Sequence, residues 1–286
     1  LNNFLGIEEQ YSDYQSSKIV IIPAPFEQTT SYMGGTEQGP EAIIKASAYV
    51  ELYDEETGNE TYRVGVHTAE SLCFSQNLEQ DFAQITSAFR SALADGKFPV
   101  GLGGEHSITF PIYRAFHEKF ADLSVLHLDA HSDLRESYED SLYSHASVMR
   151  RIYEINPNIV QVGIRSQCIE EAEFIRQNKI NTFYAHQVIA GGLGDYITDR
   201  LSSNVFISID VDFFDPAIMP STGTPEPGGF LWNETIAFLR DVFRRKNVVG
   251  FDVVELSPLP GVVHPDFMTA KLIYKLLGFK FAGVAG

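Results

Sequence analysis

The sequence predicts one α/β domain built on a doubly wound, mainly parallel sheet. Two observations carry this. Short β-branched runs recur along the chain, and most lead into an amphipathic stretch of helix length. Several of the runs are apolar throughout rather than alternating, as strands covered on both faces are. In chain order, strands are expected at 18–22, 62–67, 98–102, 123–129, 159–164, 181–185, 205–210 and 248–254. Helices are expected at 40–52, 81–94, 108–120, 146–155, 169–177 and 233–245, with a last one at 265–277. The segment 215–229, DPAIMPSTGTPEPGG, holds too many helix and strand breakers for either, and reads as a long ordered loop. Strands flank it on both sides, so it is no domain boundary. Residues 1–286 are therefore taken as a single domain.

Composition narrows the functional classes. The chain has 286 residues, 44% of them hydrophobic, enough for a sizeable core. It carries 38 acidic against 21 basic side chains, a formal charge of −17. That balance argues against nucleic acid or an anionic membrane as partner, since both need a basic face. It suits cationic substrates and metal ions, besides keeping a surface solvated. Two cysteines, Cys73 and Cys168, cannot make a disulfide framework, so a reducing, cytoplasmic setting is expected. The opening LNNFLGIEEQ has neither the basic nor the long apolar region of a signal peptide, and no apolar run reaches membrane-spanning length.

Three segments carry chemistry: Gly103-Gly104-Glu105-His106-Ser107, Asp129-Ala130-His131-Ser132-Asp133 and Asp210-Val211-Asp212. Each ends an apolar strand, and ligands of parallel α/β sheets bind beyond the carboxyl ends of strands. All three are expected at one rim. In extended backbone, Asp129 and His131 would share a face, as would Asp210 and Asp212. Four aspartates gathered there repel, by about 4 kcal/mol per pair at 4 Å and an effective dielectric of 20. Protonation or Arg135 would offset part of this. Two divalent cations would offset all of it, with His106 and His131 supplying neutral nitrogen ligands. Mostly oxygen donors with some imidazole suit Mn²⁺ better than Zn²⁺ or Cu²⁺.

Other residues leave alternatives open. His127, inside a strand, reads as a satisfied core residue or one supporting the ligands. His145, opening a helix after a polar loop, is either a helix-start residue or part of the site. Glu255 ends a strand at the expected rim, as a site acid, a helix cap or an ion-pair partner. Asp252 lies inside an apolar strand and requires a buried partner. His67, His117, His186 and His264 sit in no ligand motif and read as structural or surface residues.

GGEHS, LDAHSDLR, SHASVMRR, SIDVDFFDPAIMPSTGTPEPGG and FDVVELSP together resemble the ureohydrolase family of arginase, agmatinase and their relatives. PAPFEQTTSYMGGTEQGPEAI is similar to that family's opening strand and loop. The resemblance implies a three-layer α/β/α fold with a mainly parallel eight-stranded sheet and two Mn²⁺ per chain. One cation would take His106, Asp129, Asp133 and Asp210, the other Asp129, His131, Asp210 and Asp212. GTPEPGG and SHASVMRR are most similar to agmatinase. Arginases bind the substrate's α-carboxylate through an Asn where this chain has Arg135, and its α-amino group through an Asp where this chain reads Arg165-Ser166-Gln167. Both departures speak against arginine.

The implied reaction is hydrolysis of agmatine to urea and putrescine by a metal-bridging hydroxide. Glu255 would anchor the guanidinium. His145 would carry a proton to the leaving amine, and Asp133 would relay one from the attacking water. The partner is then a small cationic guanidino compound, and the family implies a homotrimer or homohexamer. Guanidinobutyrate, guanidinopropionate, formiminoglutamate and arginine are the alternative substrates; the carboxylate of the first three would want a cation such as Arg135 or Arg165. Two other classes are a two-metal phosphoesterase, which lacks a phosphate-binding glycine loop here, and a non-catalytic metal-binding protein on the same fold.

Overall fold

A computed structural model describes residues 2–75 and 77–282. Its centre is one eight-stranded sheet: β1 (Ile19–Ala24), β2 (Val66–Thr68), β3 (Phe98–Gly103), β4 (Leu123–Leu128), β5 (Ile159–Ile164), β6 (Asn181–Tyr184), β7 (Asn204–Asp210) and β8 (Asn247–Val254). The spatial order is β2-β1-β3-β8-β7-β4-β5-β6, and every neighbouring pair is parallel. The β3 to β4 connection steps over two positions that β7 and β8 later fill. The four central strands β3, β8, β7 and β4 therefore end side by side, at the crevice where such sheets bind ligands.

Alternation along the strands divides the core. Ile19 and Ile21 face one apolar layer, closed by helices Gly39–Ser47, Trp232–Arg245 and His264–Phe281. Val20 and Ile22 face the other, closed by helices Leu78–Ala94, Thr109–Lys119 and Val148–Ile155. Burial of both faces explains the unbroken apolar runs. At roughly 1.5–3 kcal/mol for each fully buried aliphatic or aromatic side chain, these layers are the main source of stability.

One expected strand is misplaced. Residues 61–64 form a 3-10 turn, and pairing starts only at Val66. Gly65 breaks the run: its φ is +84°, and a Cβ there would meet the Ser17 Cα at 2.5 Å. Val64 and Val66 favour a strand across 62–67, and the glycine between them is what interrupts it. The first expected helix also stops early, at Ser47 rather than 52. Helix Ala185–Gly191 was not anticipated. The loop after β7 is ordered as expected, with no helix or strand between residues 215 and 229. Among the described residues, no helix is long and apolar enough to cross a membrane.

Candidate active site

Each of the central strands delivers a polar residue just past its end. β3 runs through Gly104 into a 3-10 turn that begins at His106. Gly104 is required there, because a Cβ would lie 2.1 Å from the Phe26 carbonyl oxygen. β4 leads into Asp129, His131 and Asp133. β7 ends at Asp210, and Asp212 follows in the 3-10 turn Val211–Phe213. β8 ends next to Glu255, whose φ of +65° is uncommon for a residue with a side chain. The two-residue spacings act differently from the extended-strand expectation. Asp212 and His131 lie beyond their strands. Asp210 accepts from the Asp212 amide at 2.8 Å, and Asp129 from the His131 amide at 2.5 Å. Each pair is therefore a tight polar turn, which brings the carboxylates inward.

The six expected ligands come together. His106 Nδ1 lies 3.1, 3.2 and 3.3 Å from carboxylate oxygens of Asp129, Asp133 and Asp210, yet hydrogen-bonds to none of them. His131 Nδ1 lies 2.8 Å from Asp212 and 3.6 Å from Asp129. Asp129 presents Oδ2 to the first group and Oδ1 to the second, so one carboxylate spans both. Among the described residues, none of the four aspartates pairs with Lys or Arg. Burial pushes the Asp210 carboxyl well above its usual range, and the charges of Asp212 and Asp129 add to this. Burial and the charge of Asp129 raise Asp212 in the same direction. This excess of negative charge around an unbonded imidazole nitrogen fits divalent cations.

The tautomers decide which imidazoles can be ligands. His127 Nε2 lies 2.7 Å from Asp129 Oδ2 and belongs to the same cluster. Gln161 Nε2 donates to the Ser132 carbonyl at 2.7 Å, so it also donates to His127 Nδ1 at 3.0 Å. His127 therefore carries its proton on Nε2 and donates it to Asp129, which suits it to supporting a candidate ligand rather than to being one. His106 Nε2 lies 3.0 Å from Ser208 Oγ, leaving Nδ1 for a cation. Ser208 meets Thr109 Oγ1 at 3.3 Å, and Thr109 donates to Asp252 at 2.8 Å. Thr109 is thus the buried partner that Asp252 required. Burial nevertheless raises the Asp252 carboxyl to about 6.

Gln161, His127, Ser208 and Asp252 stand in register across β5, β4, β7 and β8, one polar row beneath the six expected ligands. Gln161, Ser208 and Thr109 were not singled out from sequence. For Gln161 and Ser208 the available signal was a polar residue in the middle of an otherwise apolar strand; Thr109, which opens a helix, carried none.

A cleft of about 260 Å³ opens over the site, lined among others by His145, Glu255, Arg135, Tyr138 and Ser31. Glu255 is largely buried and accepts from the His106 amide at 2.6 Å. Burial pushes its carboxyl well up, and the neighbouring charge of Glu105 adds to that. His145 lies in the 3-10 turn before helix Val148–Ile155. Arg135 lines the cleft, with its guanidinium 5.3 Å from the Tyr138 ring centre. Arg165, the other expected cation for a substrate carboxylate, is not in the cleft. Its guanidinium is spent on backbone carbonyls, including Asp212 at 2.6 Å and Glu226 at 2.9 Å. With Asp215, which accepts from the amides of Ala217, Gly228 and Gly229, it fixes the loop after β7.

A family model described as the arginase family matches residues 17–278. The chain belongs to the arginase family. It is a hydrolase of that family, and its sheet matches the arginase-like fold. Among curated relatives, an N(1)-aminopropylagmatine ureohydrolase of Synechocystis is 39% identical, covering 95% of this chain and 92% of the relative. An agmatinase of Halalkalibacterium halodurans is 34% identical, covering 86% of each. Among solved structures, the agmatine ureohydrolase of Thermoplasma volcanium superposes with a TM-score of 0.89 at 32% identity. It covers 98% of this chain and 94% of that one.

Proposed function

We propose that the protein is a two-metal ureohydrolase of carboxylate-free guanidino amines, cleaving agmatine to urea and putrescine. The observation that carries this is the pair of ligand groups joined through Asp129, opening into the cleft that holds Glu255 and His145. His106, Asp129, Asp133 and Asp210 would hold one cation, and Asp129, His131, Asp210 and Asp212 the other. Their donors, mostly oxygen with two imidazoles, favour Mn²⁺. When bound, the two cations supply an activated water at neutral pH. Residues 1–286 then form one ureohydrolase domain, cytoplasmic and assembled as a homotrimer or homohexamer on family resemblance.

The side chains divide the remaining work. Glu255, held by the His106 amide, accepts paired hydrogen bonds from the guanidinium and orients its carbon. That cation also offsets the burial of the carboxylate. Asp133 takes a proton from the attacking water. His145 delivers a proton to the departing amine, which is a poor leaving group without one.

A second substrate has its own support. The Synechocystis relative, at 39% identity, is named for N(1)-aminopropylagmatine, a longer amine with the same guanidinium. Both substrates lack the carboxylate that Arg165, its guanidinium taken up by backbone carbonyls of the segment after β7, would otherwise have served. Urea release from agmatine, N(1)-aminopropylagmatine, arginine and guanidinobutyrate tests the assignment. The expected result is a kcat/KM for one of the first two about a hundredfold above either carboxylate-bearing compound, or about 2.7 kcal/mol. Preference for guanidinobutyrate would overturn the substrate class and turn attention to Arg135.

A further inference from the structure

His145 is held differently at its two ring nitrogens, and the difference selects the one that handles protons. Thr29 stands on one side. Its hydroxyl lies 2.7 Å from Glu105 Oε1, and its oxygen accepts from the His145 amide at 3.1 Å. Glu105 is fully buried, and four donors converge on it. The Gln28 and Thr29 amides reach Oε2 at 2.7 and 2.6 Å. The Thr29 and Ser107 hydroxyls reach Oε1 at 2.7 and 2.6 Å. Thr29 therefore spends its one hydroxyl proton on the carboxylate. It offers His145 Nδ1, 3.3 Å away, only a lone pair, so Nδ1 must carry a hydrogen.

Ser31 stands on the other side, with Oγ 3.2 Å from Nε2 and 3.1 Å from the Tyr138 hydroxyl. No carboxylate fixes its proton. Ser31 can donate to Nε2 of a neutral imidazole. It can equally accept from Nε2–H of an imidazolium and donate to Tyr138. Thr29 has no such freedom. Ser31, Tyr138 and His145 all line the cleft, whereas Thr29 is not among its lining residues. The Tyr138 ring packs edge-on against the imidazole, 5.5 Å between centres, which keeps the three groups together.

We infer that Glu105, acting through Thr29, locks His145 as the Nδ1–H tautomer, so that Nε2 exchanges protons and Ser31 with Tyr138 conducts them to the cleft. This rests on His145 being the proton carrier for the leaving amine. In that step the C–N bond breaks, its electron pair stays on the amine nitrogen, and the Nε2 proton moves to that nitrogen. Asp133 releases to solvent the proton it took from the attacking water, and Tyr138 with Ser31 returns one solvent proton to Nε2, so both groups regain their starting states and no net charge is left behind. Glu105 and Thr29 are positioning residues.

Solid-state ¹⁵N NMR of histidine-labelled protein, loaded with diamagnetic Zn²⁺, reads the tautomer directly. Loss of signals in His145→Ala assigns the residue. The neutral ring is expected as Nδ1–H, with Nε2 unprotonated; a neutral ring protonated on Nε2 overturns the inference. Thr29→Val is expected to give a mixed tautomer. Its kcat should fall roughly tenfold, about the worth of one hydrogen bond, with KM unchanged. Thr29→Ser, which keeps the hydroxyl, should restore both the tautomer and kcat. A Thr29→Val protein with a pure Nδ1–H ring and full kcat would also overturn it. If His145→Ala keeps full turnover, the proton-carrier role falls, while the tautomer result still judges the lock.

Discussion

Glu255 shows how one residue can be prepared for a charge it does not yet face. Its backbone is strained, its carboxyl is buried, and the protein donates one amide to it. On the proposed function, a guanidinium brings the positive charge that this environment lacks. Glu255→Gln keeps the shape and removes that charge-assisted contact, which is worth about 1.5–3 kcal/mol. The expected outcome is a fall in kcat/KM of roughly a hundredfold, with metal content unchanged. Steady-state kinetics with metal analysis checks it; unchanged kinetics would move the guanidinium anchor elsewhere. At this scale the sequence was informative where function is contiguous. His106, the Asp129–Asp133 segment and the Asp210–Asp212 pair each announce themselves within five residues. Thr29 and Ser31 do not. Their partners Glu105, Tyr138 and His145 are distant in sequence, and no local pattern marks a hydroxyl that touches an imidazole.

Strand register does the positioning at the next scale. Placing His127 opposite Gln161 and Ser208, and Ser208 opposite Asp252, lets the sheet itself orient the candidate ligands beyond the ends of β4 and β3, Asp129 through His127 and His106 through Ser208. Gln161 sets the tautomer of His127, which holds Asp129, and Ser208 leaves His106 Nδ1 free. Such supporting partners typically change metal affinity by about 10- to 100-fold. Gln161→Leu and Ser208→Ala are each expected to weaken metal binding by that order in chelator competition, with the fold intact by circular dichroism. Affinity equal to wild type in both would remove the row from the account. The strands were legible because burial on both faces leaves an apolar run. Their register was not, since pairing partners such as Val100 and Phe251 lie about 150 residues apart. The 62–67 segment shows the converse limit: its residue types suit a strand, but the positive φ of Gly65 delays pairing.

Across the whole molecule, the last helix is tied to the loop after the first long helix by a buried ion cluster. Lys275 of helix His264–Phe281 lies 2.9 Å from Asp54 and 3.0 Å from Glu56, with Lys275 and Asp54 almost fully buried. Burial alone would raise the Asp54 carboxyl. The ion pair with Lys275 and the hydrogen bond from the Thr57 amide outweigh it and hold the group below its ordinary range. The folded pKa is thus below the unfolded one, near 3.9. The stabilisation is complete above that value and is lost as pH falls through the lower, folded pKa. Lys275→Met leaves the Asp54 charge buried without its cation, at a cost of about 3–5 kcal/mol. Thermal unfolding at pH 7 should show a clearly lower midpoint for the variant, and acidification well below pH 4 should narrow the gap. Equal midpoints at pH 7 would show the cluster to be neutral for stability.

On the proposed function, two cations gathered through Asp129 drive guanidinium hydrolysis. Urea release from agmatine by exhaustively chelated protein, titrated with Mn²⁺, decides whether they do. The expected result is no urea without metal, then a rise that levels off at two equivalents per chain. Undiminished urea release from the chelated protein would contradict it, as would a plateau at one equivalent.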